Sequence, residues 1–242
     1  MTTQLLITLL GALAASFVVG AAGFGDALVL AAIWLYVMDP VTAVPLIVAT
    51  GFLMHVIPLF RLRHELSFGH LPPFIIAGTL GVPVGVWLLT VIDANMFRVG
   101  VGTVLLVYSL FMLVFARKHF DLSHIGITGD GVVGFIGGIL GGLAGLSGIL
   151  PTLWSGLKNW PKNQQRGVFQ PFVLAMHALT LGALAWQGLV DGTLFINLLQ
   201  ILPVVVLGSW AGLKVYRYLN EEWFKKTVLA LLLVSAFGLL LS

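Results

Sequence analysis

The sequence predicts an all-α polytopic membrane protein with two related halves. Each half is a broken or re-entrant glycine-rich hairpin followed by three transmembrane helices, and the halves are inverted relative to each other. Three observations lead there. The 242 residues are 59% hydrophobic and only 9% charged, whereas a soluble domain carries about a quarter charged residues. Eight apolar segments are long enough to cross a bilayer, and the two over-long ones each contain a glycine cluster. Finally, the landmark residues of the first half recur in the same order in the second.

The segments run over residues 5–38, 43–60, 71–91, 97–116, 132–157, 168–186, 194–213 and 224–241. Most match the ~20 residues that span a ~30 Å hydrocarbon core. The first would reach about 50 Å as one straight helix at 1.5 Å per residue. It holds Gly20, Gly23 and Gly25, and in the fifth segment half of residues 137–148 are glycine. Each glycine costs a helix interior about 1 kcal/mol, so both segments are expected to break into two short arms. A very close approach of backbones is the other outcome of the six glycines in the fifth. Opened backbone at membrane depth is tolerated only where protein buries it or a polar cavity receives it, which marks the breaks as the place where a solute meets the chain.

The recurrence pairs Gly20 with Gly141, Asp26 with Ser147, and Asp39 and Pro40 with Trp160 and Pro161. It goes on to pair Met54 and His55 with Met176 and His177, Gly81 and Gly85 with Gly208 and Gly212, and Asp93, Phe97 and Arg98 with Asn220, Phe224 and Lys225. The chain is thus expected to form one transporter domain over residues 1–242, with repeats at 5–116 and 131–241. Charge then orients it. If the fifth segment enters and returns as a hairpin, every lysine and arginine except Arg98 lies on one side, as the positive-inside rule prefers. A matching first hairpin puts both termini outside. A hairpin plus three crossings per half inverts the second half, the usual basis of alternating access around a midplane site. Trp87, Trp160, Trp186 and Trp210 fall near segment ends and read as interface anchors.

These residues resemble the sulfite exporter TauE/SafE family, also called toluene sulfonate uptake permeases. The resemblance is carried by the broken first and fifth segments, by the short loops Met38, Asp39, Pro40 and Asn159, Trp160, Pro161, and by the run Arg166, Gly167, Val168, Phe169, Gln170, Pro171, Phe172. It covers essentially the whole chain. It implies a secondary transporter in the cytoplasmic membrane for sulfite, sulfoacetate or related organosulfonates.

The candidate substrate-binding residues are Gly23, Gly25 and Asp26 at the first break, and Gly145, Ser147 and Gly148 at the second. His55, His177, Gln170 and Arg166 join them. Asp26 and Ser147 each follow a glycine break, and both residue types make good N-caps. A half-helix start at membrane depth also offers free N–H groups and partial positive charge to an anion. An intramembrane carboxylate is a functional candidate, and a protonated Asp26 would couple transport to protons. Histidine titrates near neutrality, so His55 and His177 are further proton-coupling candidates, although a lone histidine on an apolar helix is more often a packing residue. Gln170 needs a partner or a cavity, and Arg166 either draws anions to the cytoplasmic mouth or anchors the helix. Lys158 and Lys162 read as membrane-surface anchors. Arg98, the lone outer cation, reads as snorkelling to the headgroups or serving an exit.

Cysteine is absent, which excludes disulfides and thiolate metal sites. No carboxylate stands at ligand spacing from either histidine, so neither metal nor cofactor is expected. The pI near 9.4 reflects cations between apolar segments, not a nucleic-acid surface. Expected partners are the small sulfur oxyanion or organosulfonate and the lipid bilayer; a homo-oligomer is left open. Two rival readings remain. A passive anion channel would use the same helix ends. An intramembrane serine protease would take Ser147, in the sequence Gly145, Leu146, Ser147, Gly148, as nucleophile and His177 as base. The pairing of Ser147 with Asp26 suits a cap and not a nucleophile.

Overall fold

The computed structural model describes residues 2–62, 69–115, 122, 124–215 and 221–241. Arg63, Arg117, Lys118 and Asn220 lie outside the described residues, as do the side chains of Arg61, Lys162, Phe224 and Lys225. All regular structure among the described residues is helical. The elements are α1 (Thr2–Ala22), α2 (Asp26–Trp34), α3 (Pro40–Leu62), α4 (Leu71–Val91), α5 (Ala94–Phe115), α6 (Ile127–Ala144), α7 (Ile149–Leu157), α8 (Lys162–Trp186), α9 (Gly192–Val215) and α10 (Glu221–Leu241). Six of them (α1, α4, α5, α6, α8 and α9) are long and apolar enough to cross a membrane, and the described parts of α3 and α10 are shorter apolar stretches. The protein is a multi-pass helical membrane protein.

Both over-long segments break at their glycines. The expectation of two short arms is corrected. In each case a full-length arm of 21 or 18 residues turns into a nine-residue half-helix. The turns need left-handed backbone, which Gly23 (φ 82°) and Gly25 (φ 98°) supply in the first and Gly145 (φ 74°) in the second. Each half-helix then folds back along its own long arm.

Two compact units make up the chain. Unit 1 holds residues 1–50, 92–117 and 191–242. In it α9 crosses α1 at glycine: a methyl on Gly208 would strike the Ser16 hydroxyl, and one on Gly212 the Phe17 carbonyl. Trp34 Nε1 donates to the Thr8 carbonyl at 3.2 Å and Gln4 Nε2 to the Val37 carbonyl at 3.3 Å, so the first hairpin returns to the level where it began. Arg98 is corrected from a snorkelling cation: its Nε donates to the Leu35 carbonyl at the end of α2 (3.0 Å), and the guanidinium lies 3.7 Å from Asp39. The Tyr36 hydroxyl donates to the Ser235 carbonyl on α10 at 2.8 Å.

Unit 2 holds residues 51–91 and 118–190. In it α4 crosses α6 glycine on glycine. A methyl on Gly81 would meet the Phe135 carbonyl, one on Gly85 the Ile139 carbonyl, and one on Gly142 the Val82 carbonyl. Such contact lets backbones approach as closely as helices do in lipid, where small residues replace the hydrophobic effect as the basis of association. The α4–α6 crossing repeats the α9–α1 crossing position for position. Gly85 lies over Ile139, Gly142 and Leu143 as Gly212 lies over Phe17, Gly20 and Ala21. The packing therefore matches Gly20 with Gly142, one residue beyond the Gly141 expected from sequence. Each unit draws helices from both halves of the chain.

Candidate functional site

Of the residues selected from sequence, Gly23, Gly25 and Asp26 belong to unit 1. His55, Gly145, Ser147, Gly148, Arg166, Gln170 and His177 belong to unit 2.

In unit 1 the first break is a three-residue turn, and the cap of α2 is Gly25, with no side-chain capping bond. Asp26 is the first residue of α2 and is buried. It is not the N-cap; its carboxylate instead sits at the positive end of the half-helix dipole, where negative charge is favoured. The second turn is one residue longer (Gly145, Leu146, Ser147, Gly148), and the cap of α7 is Gly148, again without a side-chain bond. That extra residue displaces Ser147 from the cap. Counted from the left-handed Gly23 and Gly145, Asp26 falls opposite Gly148 and not Ser147. The first residue of α7, the place Asp26 holds in α2, is the apolar Ile149.

The tip of the second hairpin is gathered against α8. Ser147 lies beside Gly141, where a Cβ would come within 2.9 Å of its own Cβ, and Gly148 abuts Val173 (Cβ to Cγ2, 3.1 Å). Gln170, Val173, His177 and Thr180 form one stripe of α8, three and four residues apart. Val173 thus places the tip between Gln170 and His177, which are about 10 Å apart along the helix. The neighbouring stripe, Phe172 and Met176, packs on Gly137 and Gly141 of α6 and on Gly78 of α4, with Phe74 edge-on to Phe172 at 6.1 Å. His55 of α3 stacks on His177 with ring centroids 6.0 Å apart and planes at 22°. The two histidines paired in sequence are thus neighbours in space. Arg166 lies one turn before Gln170, half-buried.

The polar content of this place is unusual for an apolar bundle. Ser147 and Thr180 are 0% exposed, His177 1%, His55 2% and Gln170 3%. The hydroxyls of Ser147, of Thr152 in the first turn of α7, and of Thr180 are buried with no hydrogen-bond partner among the described residues. A buried polar group without a partner costs about 1–3 kcal/mol. Two of them, Ser147 and Thr152, flank one half-helix start and describe a place suited to a hydrogen-bonding solute.

Sequence reasoning missed the other polar cluster in unit 2. Asp130, in the first turn of α6, accepts from Lys158 Nζ and from Trp154 Nε1, both at 2.7 Å. Lys158 follows the last residue of α7 and lies 5.5 Å and 5.2 Å from the Trp154 and Trp160 ring centroids. His70 and Phe74 cover Trp160. Lys158 is therefore a buried clasp at the base of the second hairpin, not a surface anchor, and Trp160 is part of its box. The clue in the sequence was an acid that opens an apolar segment, with no local partner.

Among the described residues no group of three histidine, cysteine or carboxylate side chains is placed to hold a metal ion. What the geometry defines is a multi-pass helical membrane protein built on broken helices, with buried polar groups at a half-helix start. The family model "Sulfite exporter TauE/SafE" matches residues 7–239, and the chain belongs to that family. No curated protein and no solved structure matches it. The family is one of transporters, so the hydrolase reading of Ser147 is set aside.

Proposed function

We propose that the protein carries small sulfur-containing anions (sulfite, sulfoacetate or related organosulfonates) across the cytoplasmic membrane by alternating access. The anion is received at the start of α7. The observation that supports this is the pair of buried hydroxyls at Ser147 and Thr152 at a half-helix N-terminus, whose tip packs on α8 between Gln170 and His177. Backbone N–H groups and the helix dipole supply partial positive charge, the hydroxyls and the Gln170 amide supply donors, and no full cation has to be buried. Gly25, at a left-handed φ, shapes the corresponding start of α2. In this reading the repeats span 5–116 and 131–241, are inverted, and exchange access around the hairpins. Asp26, at the start of α2, is the proton-coupling group, and the His55–His177 pair is a second proton path. Arg166 attracts the anion to the cytoplasmic mouth.

A thermal-stability screen of the purified protein against sulfite, thiosulfate, sulfoacetate and an arylsulfonate tests the reading. Stabilisation by at least one of them is expected, since a ligand that binds only the folded state raises its stability. A flat response to all four contradicts it.

A further inference from the structure

Resting on that anion site, we infer that the second hairpin takes its substrate as a monoanion and turns away dianions by charge and not by size. This narrows the proposed substrates to hydrogensulfite and simple sulfonates and leaves out sulfoacetate, a dianion once its carboxyl is ionised. A half-helix start carries about half an elementary charge, and the donors around this one (Ser147, Thr152 and Gln170) are neutral. The charged and titratable groups on the elements packed here add little. On α6 there is Asp130, and at the end of α7 there is Lys158; they cancel each other at 2.7 Å. On α8 there are His177, Lys162 as the first residue of the helix, and Arg166, half-buried and one turn before Gln170. On α3 there are His55, stacked on His177, and Arg61, next to the last residue of the helix. Helix α4 has no titratable side chain, and His70 before it is engaged with Trp160.

The cost of stripping water from an ion rises with the square of its charge, so a dianion costs about four times a monoanion. Its attraction to a fixed dipole and neutral donors only doubles. A site of this composition balances one negative charge and not two. The first hairpin shows the same proportion inside the protein itself, where a single carboxylate, Asp26, sits at the corresponding helix start.

Sulfite and a sulfonate separate this inference from the reading beneath it. Sulfite passes from mono- to dianion near neutral pH, whereas methanesulfonate stays a monoanion. Calorimetric binding to the full-length protein is measured for both, with sulfate as a permanent dianion, from below to above the second ionisation of sulfite. The expected result is a sulfite Kd that rises about tenfold per pH unit once the dianion dominates, because only the monoanion fraction binds. Methanesulfonate binding stays level, and sulfate does not bind. The sulfite slope persists in His55→Gln and His177→Gln, since it belongs to the ligand. Level sulfite binding across the range, sulfate binding, a parallel loss of both ligands, or a slope abolished in the histidine variants overturns the monoanion inference and leaves the anion site standing. Absence of binding by sulfite and methanesulfonate at every pH overturns the anion site as well.

Discussion

A single methyl group separates the glycines of this protein into two kinds. At Gly85 the added Cβ collides with the Ile139 carbonyl, and backbone cannot step aside as a side chain can. Gly85→Ala is expected to cost about 1–3 kcal/mol, the range for overpacking, seen as a lower midpoint of thermal unfolding in detergent. At Gly100 on α5 a methyl meets nothing within 4 Å, so Gly100→Ala should be neutral or stabilising by up to about 1 kcal/mol through helix propensity. Equal effects at the two positions would refute the close-packed crossing. The glycine clusters were legible in the sequence as breaks, and Gly23, Gly25 and Gly145 do make turns. Close approach was legible too, as an outcome of the 137–148 glycines. What could not be read is that Gly138 and Gly142 meet α4 at Gly78 and Val82, and that Gly81 and Gly85 meet α6, because residue spacing does not reveal which helix lies opposite. The capping roles assigned to Asp26 and Ser147 failed differently: α2 begins one residue early, so that Gly25 is its cap and Asp26 its first residue, while one additional turn residue moved Ser147 off the cap of α7.

Each hairpin is tied at its base, and the two ties differ in depth. The second uses Asp130 and Lys158, whose side chains are 3% and 6% exposed. Removing one member of a buried pair leaves a charge with no partner, so Asp130→Asn or Lys158→Met is expected to cost about 3–5 kcal/mol. The apolar double variant Asp130→Leu with Lys158→Met should recover most of that loss, as apolar replacements of buried pairs commonly do. Denaturation of the three variants checks both statements, and a double variant no better than the singles would contradict them. The first hairpin is tied by Arg98 to Leu35 and Asp39, with Asp39 mostly exposed. Arg98→Ala is expected to cost less, about 1 kcal/mol, because water screens the ion pair. The breaks themselves were legible, since excess apolar length and glycine agreed in both segments; the cation count spoke for the second hairpin alone, and the first rested on the repeat. The clasps were not, because Asp130 and Lys158 stand on different arms and pair only after the chain has folded back.

At the scale of the whole molecule, the helical membrane class and the family were legible from composition, segment length and glycine pattern. The division into units was not, since each unit takes helices from both halves and no linear boundary marks it. Proton coupling belongs at this scale too. Asp26→Asn should transport at a rate independent of an imposed proton gradient, whereas the parent responds to it; an unchanged response in the variant would remove Asp26 from coupling. The most direct test of the central claim, a carrier that receives its anion at the second hairpin, is counterflow in proteoliposomes. With unlabelled sulfite trapped inside, labelled sulfite is predicted to accumulate transiently above its equilibrium level, and Ser147→Ala should diminish the overshoot by about tenfold, the value of roughly one hydrogen bond. Uptake that rises to equilibrium without overshoot would mark a channel, and a full overshoot in Ser147→Ala would place the anion elsewhere.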